Sequence, residues 1–137
     1  MRILALDYGS ARCGCALSDP TGVLATPLEP VLAPGSKDGL SRLAALVAES
    51  GAERVVVGLP LSLGGGDSAQ TVETREFAAR LGRRLGVPVE LFDERFTTKL
   101  AQRGGARARG SEDSRAAAHL LSGWLEAHAV GARGADG

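Results

Sequence analysis

Three acidic positions of this chain could hold a metal ion for phosphodiester chemistry. Asp7 ends the apolar run RILALDY, and Asp113 lies at the start of an amphipathic segment. The neighbours Asp93 and Glu94 end the apolar run VPVELFDE. Buried carboxylates cost free energy unless a cation meets them, and divalent cations relieve their mutual repulsion while activating water. The pattern therefore indicates a metal-dependent hydrolase if the fold brings these positions together.

The acids at the two strand ends also have a structural interpretation. Asp7 precedes Gly9 in a D-x-G sequence, where an aspartate commonly accepts hydrogen bonds from a turn. Asp93 and Glu94 are adjacent in a strand and point to opposite faces, so at most one of them readily joins Asp7. Strand alternation alone does not choose between the two.

Asp113 is the most informative acid. It follows the potential N-cap Ser111, and the helix dipole favours any acid in a first turn. Yet Asp113 shares a helical stripe with Ala117, Leu120 and Trp124, and that stripe should face the sheet. The spacing therefore predicts that Asp113 is directed inward.

Other residues with chemical potential favour structural roles. Cys13 and Cys15 are two apart in a predicted strand, which argues against a disulfide between them and leaves no zinc-binding spacing. His119 lies about 120° from the apolar stripe of its helix and is predicted near the surface. The glycines at 64–66 lack the Lys-Ser/Thr of a P-loop. Tyr8 and Phe96 are types that stack on bases, and core packing explains Tyr8 and Phe96 equally well.

The periodicity of apolar residues predicts an α/β domain with a mixed five-stranded sheet and helices on both faces. The predicted strands cover 2–8, 12–18, 23–32, the run ERVVVGLP and the run VPVELFDE; the predicted helices begin at Ser36 or Asp38 and end at Gly51, then cover 68–85, 98–103 and 112–128. The order is β-β-β-α-β-α-β-α-α, and the first three strands suggest an antiparallel meander. Residues 1–128 are predicted to form one domain, followed by a disordered tail at 129–137.

Composition limits the classes of protein further. The 137 residues are 44% hydrophobic with a net charge of zero, as expected for one soluble globular domain rather than a strongly basic nucleic-acid binder. No run approaches the roughly 18 apolar residues of a membrane span, and no signal peptide is recognisable. We therefore expect a cytoplasmic protein without membrane contact.

Positive charge is concentrated after the fifth strand. The basic side chains there are Arg95, Lys99, Arg103, Arg107 and Arg109. The GGARARG sequence among them predicts a loop, and arginine suits bidentate contacts to phosphate. The segment is therefore locally positive and suited to contacts with phosphate or carboxylate groups.

Four sequence blocks together make the chain resemble the YqgF/RuvX family of RNase H-like fold. The blocks are Asp7-Tyr8-Gly9 with Arg12 and Gly14, Val57-Gly58-Leu59-Pro60-Leu61, Asp93-Glu94-Arg95-Phe96-Thr97-Thr98, and Asp113 followed by Ala116-Ala117. The resemblance spans about residues 3–126. It implies that Asp7, Glu94 and Asp113 are the catalytic, metal-binding acids, which selects Glu94 over Asp93. Asp93, Thr97 and Thr98 would then support those acids. The resemblance also implies that the basic loop meets nucleic acid, through Arg95, Lys99, Arg103, Arg107 and Arg109.

The same resemblance implies a two-metal nuclease using Mg²⁺ or Mn²⁺ on branched DNA, precursor rRNA or both. Family members are associated with resolving Holliday junctions and with trimming the 5′ end of pre-16S rRNA. A resolvase makes two symmetric nicks and should be a homodimer, whereas an RNA trimmer could act as a monomer.

Two other classes compete with this interpretation. RNase H-like domains without their acids can be non-catalytic nucleic-acid-binding modules, but all three candidate acids are present here. Sugar kinases and actin-like ATPases also begin with a D-x-G turn, but they need two such domains, more than 137 residues supply.

Overall fold

A computed structural model describes residues 1–60, 68–93 and 112–136, with the side chains of all of these except 112, 113 and 129–136. Its elements are β1 (Ile3–Asp7), β2 (Arg12–Ser18), β3 (Ala25–Leu32), α1 (Lys37–Ser50), β4 (Arg54–Leu59), α2 (Ala69–Arg84), β5 (Val89–Asp93) and α3 (Glu112–Asp136). The predicted order of these elements is confirmed. The predicted short helix at 98–103 lies outside the described residues.

The strands form one five-stranded sheet in the order β3-β2-β1-β4-β5. β1, β2 and β3 pair antiparallel, as the predicted meander requires. β4 pairs parallel to β1, and β5 parallel to β4. Parallel neighbours need a crossover connection, and α1 and α2 lie in the chain segments that make these crossovers. The sheet is therefore mixed, as predicted.

Helices cover both faces of the sheet and form two separate cores. The face that carries Leu4 and Leu6 packs against α1 and α2. The face that carries Ile3 and Ala5 packs against α3. Because alternate residues of a strand point to opposite faces, the apolar run of β1 contributes to both cores. This explains why the central strands lack a polar face.

Capping residues define the ends of α1 and α2 much as the sequence indicates. The Ser36 hydroxyl accepts a hydrogen bond from the Gly39 N–H, which selects Ser36 over Asp38 as the N-cap of α1. Gly51 ends α1 with a φ of 72°, a left-handed conformation that glycine adopts without strain. The Ser68 hydroxyl accepts from the Thr71 N–H at the start of α2.

α3 is longer than predicted. The sequence places its end near His128, but the helix continues to Asp136. The added residues contain glycine, which suggested a disordered tail, yet they include no proline and several alanines that favour a helix. The predicted domain extent, 1–128, stays a prediction. Within the described part of the chain, no helix is long and apolar enough to cross a membrane.

β3 is an edge strand with an irregular pairing to β2. Cys13 pairs with Val31 and Cys15 pairs with Leu28, so one β2 residue lies opposite two β3 residues. Such a bulge bends the strand and disturbs its ladder of hydrogen bonds. β3 also contains Pro27 and Pro30, residues that sheets tolerate mainly at edges and bulges.

Candidate metal site at one edge of the sheet

Asp7 is the last residue of β1, and it lies on the face of the sheet that α3 covers. It alternates in step with Ile3 and Ala5, which pack in the α3 core. Its register partner in β2 is Gly14, and its side chain is partly exposed. Asp7 is therefore at the rim of the sheet and accessible to a ligand from solvent.

The end of β5 lies at the same edge of the sheet as the end of β1. β1, β4 and β5 run parallel, and β4 separates the outer two, so their ends are two strand spacings of roughly 4.8 Å apart. Two carboxylates at that separation can share bound cations between them. The parallel topology therefore brings the ends of β1 and β5 to the same edge of the sheet.

Strand alternation in β5 separates Asp93 from Asp7. Leu91 packs against the core of α1 and α2, whereas Phe92 packs against the α3 core. Asp93 follows Phe92 and therefore alternates to the α1 and α2 face, opposite to the face of Asp7. The register removes the ambiguity about Asp93 that periodicity left open, and it disfavours Asp93 as a partner of Asp7.

The first turn of α3 reaches this edge of the sheet. Ser114 is fully buried, and its hydroxyl donates to the Leu28 carbonyl (2.5 Å) and accepts from the Cys15 N–H (3.4 Å). Cys15 neighbours Gly14, the register partner of Asp7. Asp113 directly precedes Ser114, so its backbone lies in the helical turn that these bonds fix against β2 and β3.

The apolar stripe predicted for α3 is confirmed. Ala117, Leu120 and Trp124 are all buried in the core between α3 and the sheet. The side chain of Asp113, which was predicted to share their stripe, lies outside the described side chains.

Tyr8 anchors the end of β1 on the opposite face. Its ring stacks on Phe77 of α2 with 4.4 Å between centroids, and its hydroxyl donates to Glu73 Oε2 at 2.5 Å. Burial of the phenol, followed by the hydrogen bond to Glu73, raises the pKa of Tyr8 to about 12. Of the two roles considered for Tyr8, the structure shows core packing.

The turn after Tyr8 requires a glycine because the backbone approaches itself closely. A Cβ on Gly9 would lie 2.8 Å from the Arg12 carbonyl oxygen, too close for an ordinary contact. The D-x-G sequence is therefore explained by the turn that leads from β1 to β2. This tight turn leaves Asp7 at the edge of the sheet.

The remaining candidates have surroundings that fit structural roles. Cys13 and Cys15 are buried free thiols, as predicted. His119 is partly buried, and burial followed by the nearby Arg115 charge lowers its pKa. His128 stacks on Trp124 with ring centroids 3.8 Å apart.

Several predicted site residues lie outside the described part of the chain. They are Glu94, Arg95, Thr97, Thr98, Lys99, Arg103, Arg107 and Arg109. Among the described side chains, no group of three or more histidine, cysteine, aspartate or glutamate residues is arranged to hold a metal ion. Of the three acids predicted as ligands, only the Asp7 side chain belongs to that described set.

Sequence reasoning missed two contacts that position the site. Glu73 and Ser114 were not singled out, although each bonds to a residue at or beside the end of β1. A serine next to the apolar stripe of α3 was the available signal, because a small polar residue in a buried position needs hydrogen-bond partners. Glu73, an acid on an exposed helix surface, offered no comparable signal.

The fold is RuvC-like, of the RNase H-like type. The chain superposes on a Thermus thermophilus RuvC solved in complex with a Holliday junction substrate, with a TM-score of 0.66 and 18% identity, covering 94% of this chain and 96% of that one. It also superposes on the fowlpox virus Holliday junction resolvase, with a TM-score of 0.55 and 12% identity, covering 93% and 99%. At these identities the likeness shows the fold alone.

The chain belongs to the RuvX family, whose model, described as "Holliday junction resolvase", matches residues 1–127. Two similar relatives carry the name "Putative pre-16S rRNA nuclease". The one from Mycolicibacterium paratuberculosis is 45% identical over 133 residues, covering 91% of this chain and 80% of the relative. The one from Anaeromyxobacter sp. is 42% identical over 133 residues, covering 92% and 97%. The family membership makes the chain a nuclease, as the resemblance implied.

Proposed function

We propose that this nuclease is a metal-dependent endonuclease whose site is formed by Asp7, Glu94 and Asp113. The observation that carries the proposal is the position of Asp7 at the edge where β1 and β5 end, on the face of the sheet that α3 covers. The face assigned to Asp93 supports Glu94, the next residue in the chain, as the acid from β5. Asp113 adjoins the buried Ser114.

These residues fit the donor set that Mg²⁺ or Mn²⁺ prefers, because carboxylate oxygens are the ligands of hard divalent cations. Asp7, Glu94 and Asp113 would hold these ions through their carboxylate oxygens. When bound, two such ions supply an activated water for in-line attack and stabilise the leaving 3′-oxygen, which yields 5′-phosphate ends. The protein side chains hold the ions in place and orient the scissile phosphate.

The basic residues from Arg95 to Arg109 would contact phosphates of the nucleic acid. Cleavage and binding should therefore weaken steeply as salt increases, because released counterions drive the association. Asp93, Thr97 and Thr98 would support the acidic ligands. The buried free thiols of Cys13 and Cys15 suit a reducing compartment, which supports a cytoplasmic location.

The substrate proposed first is a precursor of 16S rRNA, and the second is a four-way DNA junction. The names of the curated relatives favour the former. The family description and the junction bound to the structural neighbour favour the latter. Cleavage of a precursor-rRNA fragment and of a four-way junction, measured side by side with Mg²⁺ and with Mn²⁺, separates them. Paired symmetric nicks would require a homodimer with two sites.

Asp7→Asn tests the site itself. The substitution removes the negative charge that holds cations while preserving shape, so we expect cleavage to be abolished and nucleic-acid binding to remain. Asp38→Asn, an exposed first-turn acid of α1, is the matched control and should cut normally. A wild-type cleavage rate in Asp7→Asn would refute the assignment.

The choice between the β5 acids has its own test. Glu94→Gln should abolish cleavage, whereas Asp93→Asn should retain a larger part of it, because Asp93 alternates to the far face of the sheet. The reverse ranking of the two variants would show that Asp93 is the ligand.

A further inference from the structure

A buried serine ties the start of α3 to β2 and β3, the two strands on one side of β1. Ser114 is 0% exposed, in a described core that contains few other polar side chains. Its hydroxyl bonds to both neighbouring strands, donating to Leu28 of β3 and accepting from Cys15 of β2. A hydroxyl can do both at once because it carries one donor and two acceptor lone pairs. Alanine at this position would leave two buried backbone groups without these bonds.

The tie is made at the bulge between β2 and β3. The register shift lies between Cys13 and Cys15, where β3 contributes an extra residue. A disturbed ladder exposes backbone groups to side-chain partners. Ser114 hydrogen-bonds to one backbone group of each strand at this place, so the N-terminus of α3 packs against the bulge.

The same place is in register with the end of β1. Cys15 pairs with Leu6, and Gly14 pairs with Asp7. Ser114 is therefore bonded to a residue one strand away from Asp7, and Asp113 is the residue just before it. The hydroxyl thus fixes the residue that follows Asp113 at the level of the sheet where Asp7 lies.

We propose that Ser114 is a positioning residue of the nuclease site. Its hydroxyl fixes the first turn of α3 against the bulge, so that Asp113 stays at the distance from Asp7 that cation binding requires. The proposal rests on the assignment of Asp7 and Asp113 as metal-binding acids. Residues that orient metal ligands typically change metal affinity or activity by about 10–100-fold when removed.

A merely structural role for Ser114 would lower stability without changing metal binding in the folded protein. Ser18 provides the matched control for this distinction. It is also a buried serine, 1% exposed, and its hydroxyl accepts from the Ile3 N–H at 2.8 Å. Ile3 is at the end of β1 opposite to Asp7. Ser18→Ala therefore removes an equivalent buried hydrogen bond far from the acids.

The experiment compares wild type, Ser114→Ala and Ser18→Ala at a temperature where circular dichroism shows all three folded. Binding of Mn²⁺ alone is followed by the electron paramagnetic resonance signal of the free ion, and kcat and KM are measured on the better of the two nucleic-acid substrates. We expect Ser114→Ala to weaken Mn²⁺ binding and lower kcat by about 10–100-fold with little change in KM. Ser18→Ala should match wild type in all three quantities.

Unchanged Mn²⁺ affinity and kcat in Ser114→Ala would overturn the proposal, as would equal losses in Ser18→Ala. If Ser114→Ala does not fold, Ser114→Cys replaces it, since a thiol is only somewhat larger than a hydroxyl and fills the site but bonds weakly, and the same losses are expected. Wild-type protein that binds Mn²⁺ but cuts neither substrate would contradict the proposed substrates, while Mn²⁺ affinity would still decide the role of Ser114. Absence of Mn²⁺ binding by wild type would overturn both proposals.

Discussion

Asp7 and Tyr8 are neighbours in sequence, yet their side chains have opposite surroundings. Asp7 alternates to the α3 face at the rim of the sheet, whereas Tyr8 packs on Phe77 and bonds to Glu73 of α2. The packed tyrosine holds the strand end rigid, which keeps the adjacent carboxylate in a defined place. Precise placement matters because displacements of about 1 Å can cost a factor of roughly 100 in rate.

Titration of the Tyr8 phenol tests its burial and its hydrogen bond to Glu73 directly, because the chain has one tyrosine. The phenol should ionise near pH 12 rather than at its ordinary 10.0. Glu73→Gln should lower the midpoint but leave it above the ordinary value, since burial is the larger cause. Phenolate absorbance against pH gives the midpoint, with circular dichroism confirming that the protein is folded.

The matched control is Glu76→Gln, an exposed acid of the same helix, which should leave the midpoint unchanged.

The raised pKa of Tyr8 also fixes the sign of a pH effect on stability. The folded state favours the neutral phenol, so this contribution is complete below pH 10.0 and is lost as pH rises through about 12. An identical midpoint of phenol ionisation in wild type and Glu73→Gln would show that the bond to Glu73 does not hold Tyr8 in place.

At the scale of the elements, two helical glycines that look alike in sequence have opposite surroundings. A Cβ on Gly39 of α1 would lie 2.0 Å from the Ala33 carbonyl oxygen. A Cβ on Gly82 of α2 would meet only the Val89 side chain, at 3.9 Å, which is an ordinary contact. The close approach at Gly39 lets the chain leave β3 and enter α1 directly.

Alanine substitutions at these glycines should therefore change the free energy of unfolding in opposite directions. Gly82→Ala should stabilise by about 0.5–1 kcal/mol, because alanine loses less backbone entropy in a helix. Gly39→Ala should destabilise by about 1–3 kcal/mol, because the backbone must shift to make room. Urea denaturation measures both values. A destabilised Gly82→Ala would show that α2 cannot accept the added methyl group against β5.

The sequence predicted the described elements because their signals are local. Ser36, Gly51 and Ser68 mark helix ends through their own conformations and hydrogen bonds, and apolar alternation marks the strands. The face of Asp93 was not predictable, because it depends on the pairing of β5 with β4. The contacts of Ser114 were equally hidden, since they join positions 114, 28 and 15. A local sequence pattern cannot show which residues tertiary pairing brings into contact.

At the scale of the whole molecule, the sheet lies between two hydrophobic cores and contributes residues to both. β1 contributes Leu4 and Leu6 to one and Ile3 and Ala5 to the other. Neither helical layer can lose its packing without exposing apolar residues of the same central strands. We therefore expect the domain to unfold as one cooperative unit.

Single aromatic reporters on each side test this cooperativity. Trp124, the only tryptophan, lies in the α3 core, and Tyr8, the only tyrosine, packs against the α1 and α2 core. Trp124 fluorescence and Tyr8 absorbance should give the same urea midpoint. Leu121→Ala and Leu81→Ala, fully buried leucines on opposite faces, should each cost about 2–5 kcal/mol and shift both signals together. A variant that moves only one signal would show that the layers unfold separately.

The prolines of β3 have a consequence for self-association. An unpaired edge strand is a template for strand addition by another chain, which is a common route to aggregation. β3 occupies one edge of the sheet, and Pro27, Pro30 and the bulge interrupt the regular row of N–H donors that such addition needs. The chain is thereby protected from open-ended polymerisation at this edge, while Asp7 lies at the end of the central strand β1. A dimer that makes paired nicks would accordingly have to form through side chains on another surface, not by extending the sheet at β3.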